Sequence, residues 1–474
     1  MYFDCQEKME ISNFHTINVQ DFKSVYFLGI GGIGMSALAR YFKNTGYEVG
    51  GYDKTPSPLT DQLIQEGCEI HFEDLSENIP TNFQDKNNTL IVLTPAIPKD
   101  QGEWNYFRSS GFTILKRSEV LGLLTQRLKG LCVAGTHGKT TTSTLLAHIL
   151  NQSSWKCNAF LGGISTNFNS NLLINQSSPY VVIEADEFDR SFLRLSPFSS
   201  IITSADPDHL DIYGSANEFQ EGFQLYSEKI SNNGILVIKE GLPFKASAKT
   251  ITYSVSGNTA DFFAENLRIE QDRFLMDVCF SSTSWKDVEL GVPGIHNAEN
   301  ALGCIALLVS MGLDEHQIRK GLQSFLGVKR RFEYIIRNKR FIYIDDYAHH
   351  PKEIKALVDS IRLMYAGKRI MGIFQPHLFS RTNDFMDEFA DELTRLDEVI
   401  LLPIYPAREL PMEGVSSEVL LQRIVNPKKR LLSPSEAVEY CSINTCEVLL
   451  TIGAGDIDRI VSKIKQNIEF QLAQ

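Results

Sequence analysis

The sequence predicts an α/β protein of three domains, and three observations carry that prediction. At 474 residues the chain is too long for one typical domain. Short apolar runs alternate with segments of helical period along most of its length, the pattern of largely parallel sheets covered by helices. Strand–turn–helix openings recur at Ser24–Ile30, at Leu131–Thr142 and around Arg331. The expected domains are 1–116, 117–328 and 329–474.

Each opening is justified by its residues. Ser24-Val-Tyr-Phe-Leu-Gly-Ile30 is an apolar strand followed by Gly29-Ile-Gly-Gly-Ile-Gly34 and a helix from Met35. Leu131-Cys-Val-Ala134 reads as a buried strand, and Ser143–Leu150 has the apolar spacing of a helix. In the third block, Phe341–Ile344 and Arg369–Phe374 read as strands. Ligands in such sheets sit at the carboxyl ends of strands, and every motif below follows a strand or starts a helix.

Composition narrows the function class. Hydrophobic content of 43% and charged content of 22% are ordinary for a soluble globular protein. A net charge of −12 argues against a nucleic-acid partner or a membrane surface. No apolar stretch is long enough to span a bilayer, and the first residues, MYFDCQEKMEISNFH, lack a secretory apolar region. Eight cysteines occur without a Cys-x-x-Cys pair, and Cys132 and Cys304 lie in apolar runs as core thiols. A cytoplasmic protein is expected.

The richest motif is Gly135-Thr-His-Gly-Lys-Thr-Thr141, between strand and helix. Its backbone N–H groups and the helix N-terminus suit an anion, Lys139 adds a point charge, and Thr140 reaches a bound Mg²⁺. Gly135, Thr136, His137, Gly138, Lys139, Thr140 and Thr141 form the expected triphosphate cradle. Val133 stands where a full Walker pattern has glycine.

The first glycine loop offers Gly29 for a tight turn, Gly31 for close approach of a pyrophosphate and Gly34 for helix–strand packing. Gly32 belongs to the same cradle, Asp53 ends the next strand within reach of ribose hydroxyls, and Thr94 stands on the rim or in a plain proline-rich turn. An NAD site and a nucleotide-sugar site fit these residues equally.

Val181–Asp189 is an apolar strand ending in four carboxylates. Glu184 is the expected Mg²⁺ ligand, with Asp186, Glu187 and Asp189 in the loop or behind it. Asp206, Asp208, His209 and Asp211 follow another strand, and His209 is a metal-ligand candidate. Asn297 and Asn300 lie one helical turn apart, placed either to read an adenine edge or simply to cap the helix and meet solvent. Asp346, Tyr347, His349, His377 and Arg381 follow strands of the third block, and an arginine there suits a carboxylate or phosphoryl group.

Nine segments, GIGGIGM, AGTHGKTTT, EADEFD, DHLDIYG, GIHNAENAL, KRRFE, DDYAHHP, FQPHLFSRT and GAGDI, occur in this order. In them the chain resembles the Mur ligase family, amide-forming enzymes of peptidoglycan precursor synthesis, from Val25 to about Ile457. The resemblance implies an N-terminal Rossmann-like UDP-binding domain, a central P-loop-type ATPase domain and a C-terminal Rossmann-like domain that brings the amino acid. It implies ATP and Mg²⁺ as cofactors, UDP-N-acetylmuramate and L-alanine as partners, and a monomer or homodimer. It assigns Lys139 to the β,γ-phosphates, Thr140 and Glu184 to Mg²⁺, and His209 to a second Mg²⁺. Asn297 and Asn300 fall to the adenine region, Arg331 and Asp346 to the ATP ribose or phosphates, and His349 and Arg381, with Tyr347 nearby, to the alanine pocket. His209 or His349 is the expected acceptor of the amine proton.

Departures are few. Leu378 replaces an arginine of many alanine-adding members, and Ser204 replaces a frequent asparagine. No lysine lies between His209 and Lys229, whereas other branches carboxylate one there. The rival readings are a recycling ligase that attaches a tripeptide to the same sugar nucleotide, and an NAD-dependent dehydrogenase with an added nucleotide-binding domain.

Overall fold

The computed structural model describes residues 14–94, 96–207, 210–271, 273–407 and 409–473. Contacts divide the chain into two compact units, one of residues 1–265, 278–285 and 300–325, the other of 266–277, 286–299 and 326–474.

The first unit opens with strands β1 (Ser24–Leu28), β2 (Glu48–Tyr52), β3 (Glu69–His71), β4 (Thr89–Leu93) and β5 (Thr113–Lys116). They form a parallel sheet in the order β3-β2-β1-β4-β5. Every residue of β1 and β4 is buried, which is why both read as unbroken apolar runs. Phe27 packs with Leu38 and Phe42 of the helix Ile33–Asn44, while Tyr26 faces Phe83 and Phe107 on the opposite side. Chain order reverses between β1 and β4, so the crevice at their carboxyl ends is a topological switch point.

The second sheet is built from β6 (Lys129–Ala134), β7 (Asn158–Ser165), β8 (Ser170–Leu173), β9 (Tyr180–Ala185), β10 (Ser199–Ile202), β11 (Ile235–Lys239) and β12 (Lys249–Ser254). Their order is β12-β11-β10-β6-β9-β7-β8, parallel except for β8. Strands β13 (Phe262–Glu270), β14 (Arg273–Phe280) and β15 (Thr283–Leu290) continue the order beyond β12. Strand β6 lies between β9 and β10, so the loop after it opens beside the acids of one strand and the hydroxyls of the other. Cys132 and Cys304 are buried free thiols, as expected.

The other unit carries β16 (Glu333–Arg337), β17 (Ile342–Asp346), β18 (Ile370–Phe374), β19 (Glu398–Leu401), β20 (Lys429–Leu431) and β21 (Val448–Ile452). Their order is β16-β17-β21-β18-β19-β20, with only β16 antiparallel. Because β17, β21 and β18 are neighbours, the segments after Asp346, Phe374 and Ile452 emerge side by side. Among the described residues no helix is long and apolar enough to cross a membrane.

Candidate active site

Strand β6 ends at Ala134, and the chain turns through Gly135–Gly138 into the helix Lys139–Gln152. Gly135 and Gly138 hold φ of +141° and +81°, a region that strains any side chain. A Cβ on Gly135 would stand 2.1 Å from Thr203 Oγ1, and one on Gly138 2.7 Å from Asn300 Oδ1. Residues after β10 brace this loop. Ser204 Oγ accepts from the His137 N–H at 2.8 Å and lies 3.0 Å from Thr136 Oγ1. Thr203 Oγ1 donates to the His137 carbonyl at 2.5 Å. Ser204 thus does the bracing with a hydroxyl.

Lys139 is the loop's buried charge. Its ammonium donates to Gly135 O at 2.6 Å and to both oxygens of Glu187, at 2.6 and 2.8 Å. Burial alone would lower its pKa, but Glu187, Asp186 and Glu184 outweigh burial and raise it, so the lysine stays protonated. The sequence places Glu187 in the loop or behind the metal ligand; the structure puts it on the lysine. Spacing along the chain cannot show which acid of EADEFD turns inward.

Glu184 pairs in register with Val133, just ahead of the phosphate loop. A Cβ on Gly162 of β7 would come within 2.2 Å of Glu184 Oε2, so the carboxylate occupies space that only glycine leaves. A carboxylate and the Thr140 hydroxyl are hard oxygen donors, which fit Mg²⁺ completed by phosphates and water. No cluster of three or more potential His, Cys, Asp or Glu ligands occurs among the described residues. His209 and Asp208 lie outside the described residues. Asn300 is buried against the phosphate loop, whereas the Asn297 amide donates to Pro293 O at 2.7 Å.

At the first glycine loop, Gly29 turns with φ +85°, and a Cβ there would be 2.6 Å from Thr94 Cγ2. Thr94 therefore lies across the switch point from Gly29. Asp53 Oδ2 accepts from the Gly31 N–H at 2.7 Å, so the acid and the loop are already joined. Gly34 differs from the expectation. The atom nearest its missing Cβ is Arg117 Nη1, at 2.7 Å, so the glycine admits a guanidinium rather than a strand. Arg117 also meets Asp186 at 3.4 Å. Gly32 opens the helix Ile33–Asn44 as its N-cap.

In the other unit, both oxygens of Asp346 accept backbone N–H bonds, from Phe332 at 2.7 Å and Ala348 at 2.8 Å. Burial raises its carboxyl pKa to about 6, against the pull of Arg331. The Arg330 and Arg331 guanidinium groups lie 5.0 and 4.9 Å from the Tyr347 ring centre. His349 Nδ1 is 3.1 Å from the Tyr347 carbonyl and 3.4 Å from Glu353 Oε2. Burial lowers the His349 pKa; Glu353 pulls it up, while Arg381 and Arg331 push it further down. Arg381 sits on the short helix Phe379–Asp384, whose Ser380 N–H and hydroxyl donate to Glu409 at 3.0 and 2.5 Å. Glu409 escaped the sequence reading because it belongs to no motif and lies a strand away.

Sequence models of three Mur ligase domains match the chain: the catalytic domain of the family over residues 24–129, the middle domain over 133–308 and the glutamate ligase domain over 330–455. A UDP-N-acetylmuramate–L-alanine ligase of Porphyromonas gingivalis is 52% identical over 452 residues, covering 94% of this chain and 99% of the relative. The ligase of the same description from Flavobacterium psychrophilum is 47% identical, covering 96% and 100%. Among solved structures, the UDP-N-acetylmuramate-alanine ligase MurC of Thermotoga maritima superposes with a TM-score of 0.82 at 28% identity, covering 95% of this chain and 100% of that one. A murein peptide ligase of Psychrobacter arcticus, at 24% identity and a TM-score of 0.67, shares the fold.

Proposed function

The chain belongs to the Mur ligase family, and we propose that it joins L-alanine to the lactyl carboxylate of UDP-N-acetylmuramate, with cleavage of ATP to ADP and phosphate. The observation that carries this reading is the 52% identity, over 94% of the chain, to a ligase described by that reaction. The proposed domains are 1–116 for the UDP-sugar, 117–328 for ATP and 329–474 for the amino acid.

In this reading a lactyl carboxylate oxygen attacks the γ-phosphorus, the bond to the β,γ-bridging oxygen breaks, and ADP leaves. The alanine nitrogen then attacks the acyl carbon, phosphate departs, and the amine gives up a proton. Lys139 and the loop's backbone N–H groups, apart from that of His137, which Ser204 engages, hold the phosphates while negative charge shifts toward the bridging oxygen. Bound Mg²⁺ would neutralise phosphate charge, held by Thr140 and Glu184. Asp53 and Gly29–Gly34 take the UDP end, and Arg381 takes the alanine carboxylate through its planar fork. A carbonyl oxygen only accepts, so the bond to Tyr347 places the His349 proton on Nδ1. Nε2 is then the basic nitrogen that takes the amine proton, directly or through water.

The test is phosphate release from ATP with UDP-N-acetylmuramate and each candidate amine. Release is expected with L-alanine. Release that needs no alanine-like amine would overturn the ligase reading, and preference for a tripeptide would move the chain to the recycling enzymes. Lys139→Ala should cost roughly a hundredfold or more in kcat; near-normal turnover would sink the phosphate-loop assignment.

A further inference from the structure

The contact that the proposed reaction does not use is the one between Lys139 and Glu187. Both carboxylate oxygens hold the ammonium, and the two side chains are only 13% and 3% exposed. Such a pair is costly to separate, because the acid left behind is buried without its counter-charge.

The loop around Glu187 is built to stay in place. Its carbonyl accepts from the Tyr213 hydroxyl at 2.7 Å and from the Arg190 N–H at 2.9 Å. The Phe188 N–H bonds Asp186 Oδ1 at 3.2 Å, and the Phe192 N–H bonds Asp186 O at 2.9 Å. Asp189 and Arg190 follow in left-handed conformations, φ 52° and 53°, which fix the turn. Lys139, by contrast, has a flexible four-carbon stem.

We propose that Glu187 is a positioning residue that competes with the nucleotide's phosphates for Lys139, holding the ammonium before the nucleotide binds and taking it back when the nucleotide leaves. The inference rests on the ATP reading of the loop and deepens it. The pair keeps the buried lysine neutralised without ligand, and it sets nucleotide affinity below what the cradle alone would give. Removing the acid's charge therefore strengthens binding, whereas a merely structural lesion weakens it.

The experiment measures ATP and ADP dissociation constants, by calorimetric titration of the full chain with Mg²⁺ present, for wild type, Glu187→Gln, Glu187→Asp and Asp186→Asn. Glu187→Gln is expected to bind both nucleotides about tenfold more tightly, the scale of one charge-assisted hydrogen bond, with KM for ATP falling and kcat not rising. Glu187→Asp keeps the charge with a shorter reach, so a smaller tightening is expected, and it serves as the readout if the glutamine variant does not fold. Asp186→Asn separates the contact from the acidic field that also acts on Lys139, and it should tighten binding clearly less than Glu187→Gln does. Unchanged or weaker binding in both Glu187 variants, or equal tightening in Asp186→Asn, would overturn the inference alone. Absence of nucleotide binding by the wild-type chain would overturn the ATP reading and the inference with it.

Discussion

His349 shows how one side chain is tuned by its neighbours. Burial is the largest influence on its pKa and favours the neutral ring; Glu353 favours the cation, and Arg381 and Arg331 oppose it. The net direction is downward, so the ring remains a free base into mildly acid solution. A pH profile of kcat should then show an acid limb below the ordinary imidazole range. Removing the Arg381 charge takes away one depressing influence, so the limb in Arg381→Gln should move to higher pH. A limb that stays in place while KM for alanine rises would confine Arg381 to carboxylate binding and remove His349 from the proton path.

The short helix Phe379–Asp384 shows what an element contributes beyond its motif residue. Arg381 was legible from FQPHLFSRT, but the helix is held by Glu409, which accepts from the Ser380 N–H and hydroxyl at its first turn. Glu409→Ala should loosen the helix and raise KM for alanine several-fold with KM for ATP unchanged, the scale of about 1 kcal/mol for a lost cap. Equal rises in both constants would mean a general folding defect. The same contrast runs through the molecule. Glycine loops, strand ends and Lys139 could be read from sequence because local backbone geometry dictates them within a few residues. Glu187, Arg117 and Glu409 could not, because their partners lie far along the chain and only packing brings them together. Gly34 marks the boundary: its need for a missing Cβ was legible, but the guanidinium that fills the space was not.

At the scale of the whole molecule, buried titratable groups tie stability to pH. Glu103 is fully buried beside Tyr26 and His71 in the first sheet. The Tyr26 hydroxyl faces two acceptors, Glu103 Oε2 at 2.8 Å and His71 Nε2 at 2.6 Å, while His71 Nδ1 bonds the Glu73 carbonyl at 3.0 Å. The group is one proton short when Glu103 is ionised, and a protonated Glu103 supplies it. Burial, aided by Asp74 and opposed by the Tyr26 hydrogen bond, raises the Glu103 pKa from 4.5 to about 8. Between those values the folded chain keeps a proton that the unfolded chain has released, so stability falls as pH rises. His148, which is buried, and the partly exposed His296 act in the opposite direction: desolvation lowers their pKa values from 6.5 to about 4, so folding is favoured as pH climbs to 6.5. Above 6.5 the histidines no longer contribute. Asp345, raised to about 7, finishes soon after, and Glu103 alone of these groups then continues to titrate. Thermal unfolding of the full chain should therefore show a loss of roughly 2 kcal/mol between pH 6.5 and 8. Glu103→Gln retains a proton donor without a titration in that window, so its melting temperature should change much less across it. An equally steep decline in that variant would place the pH sensitivity elsewhere and leave the Tyr26–His71–Glu103 group ionised in the folded protein.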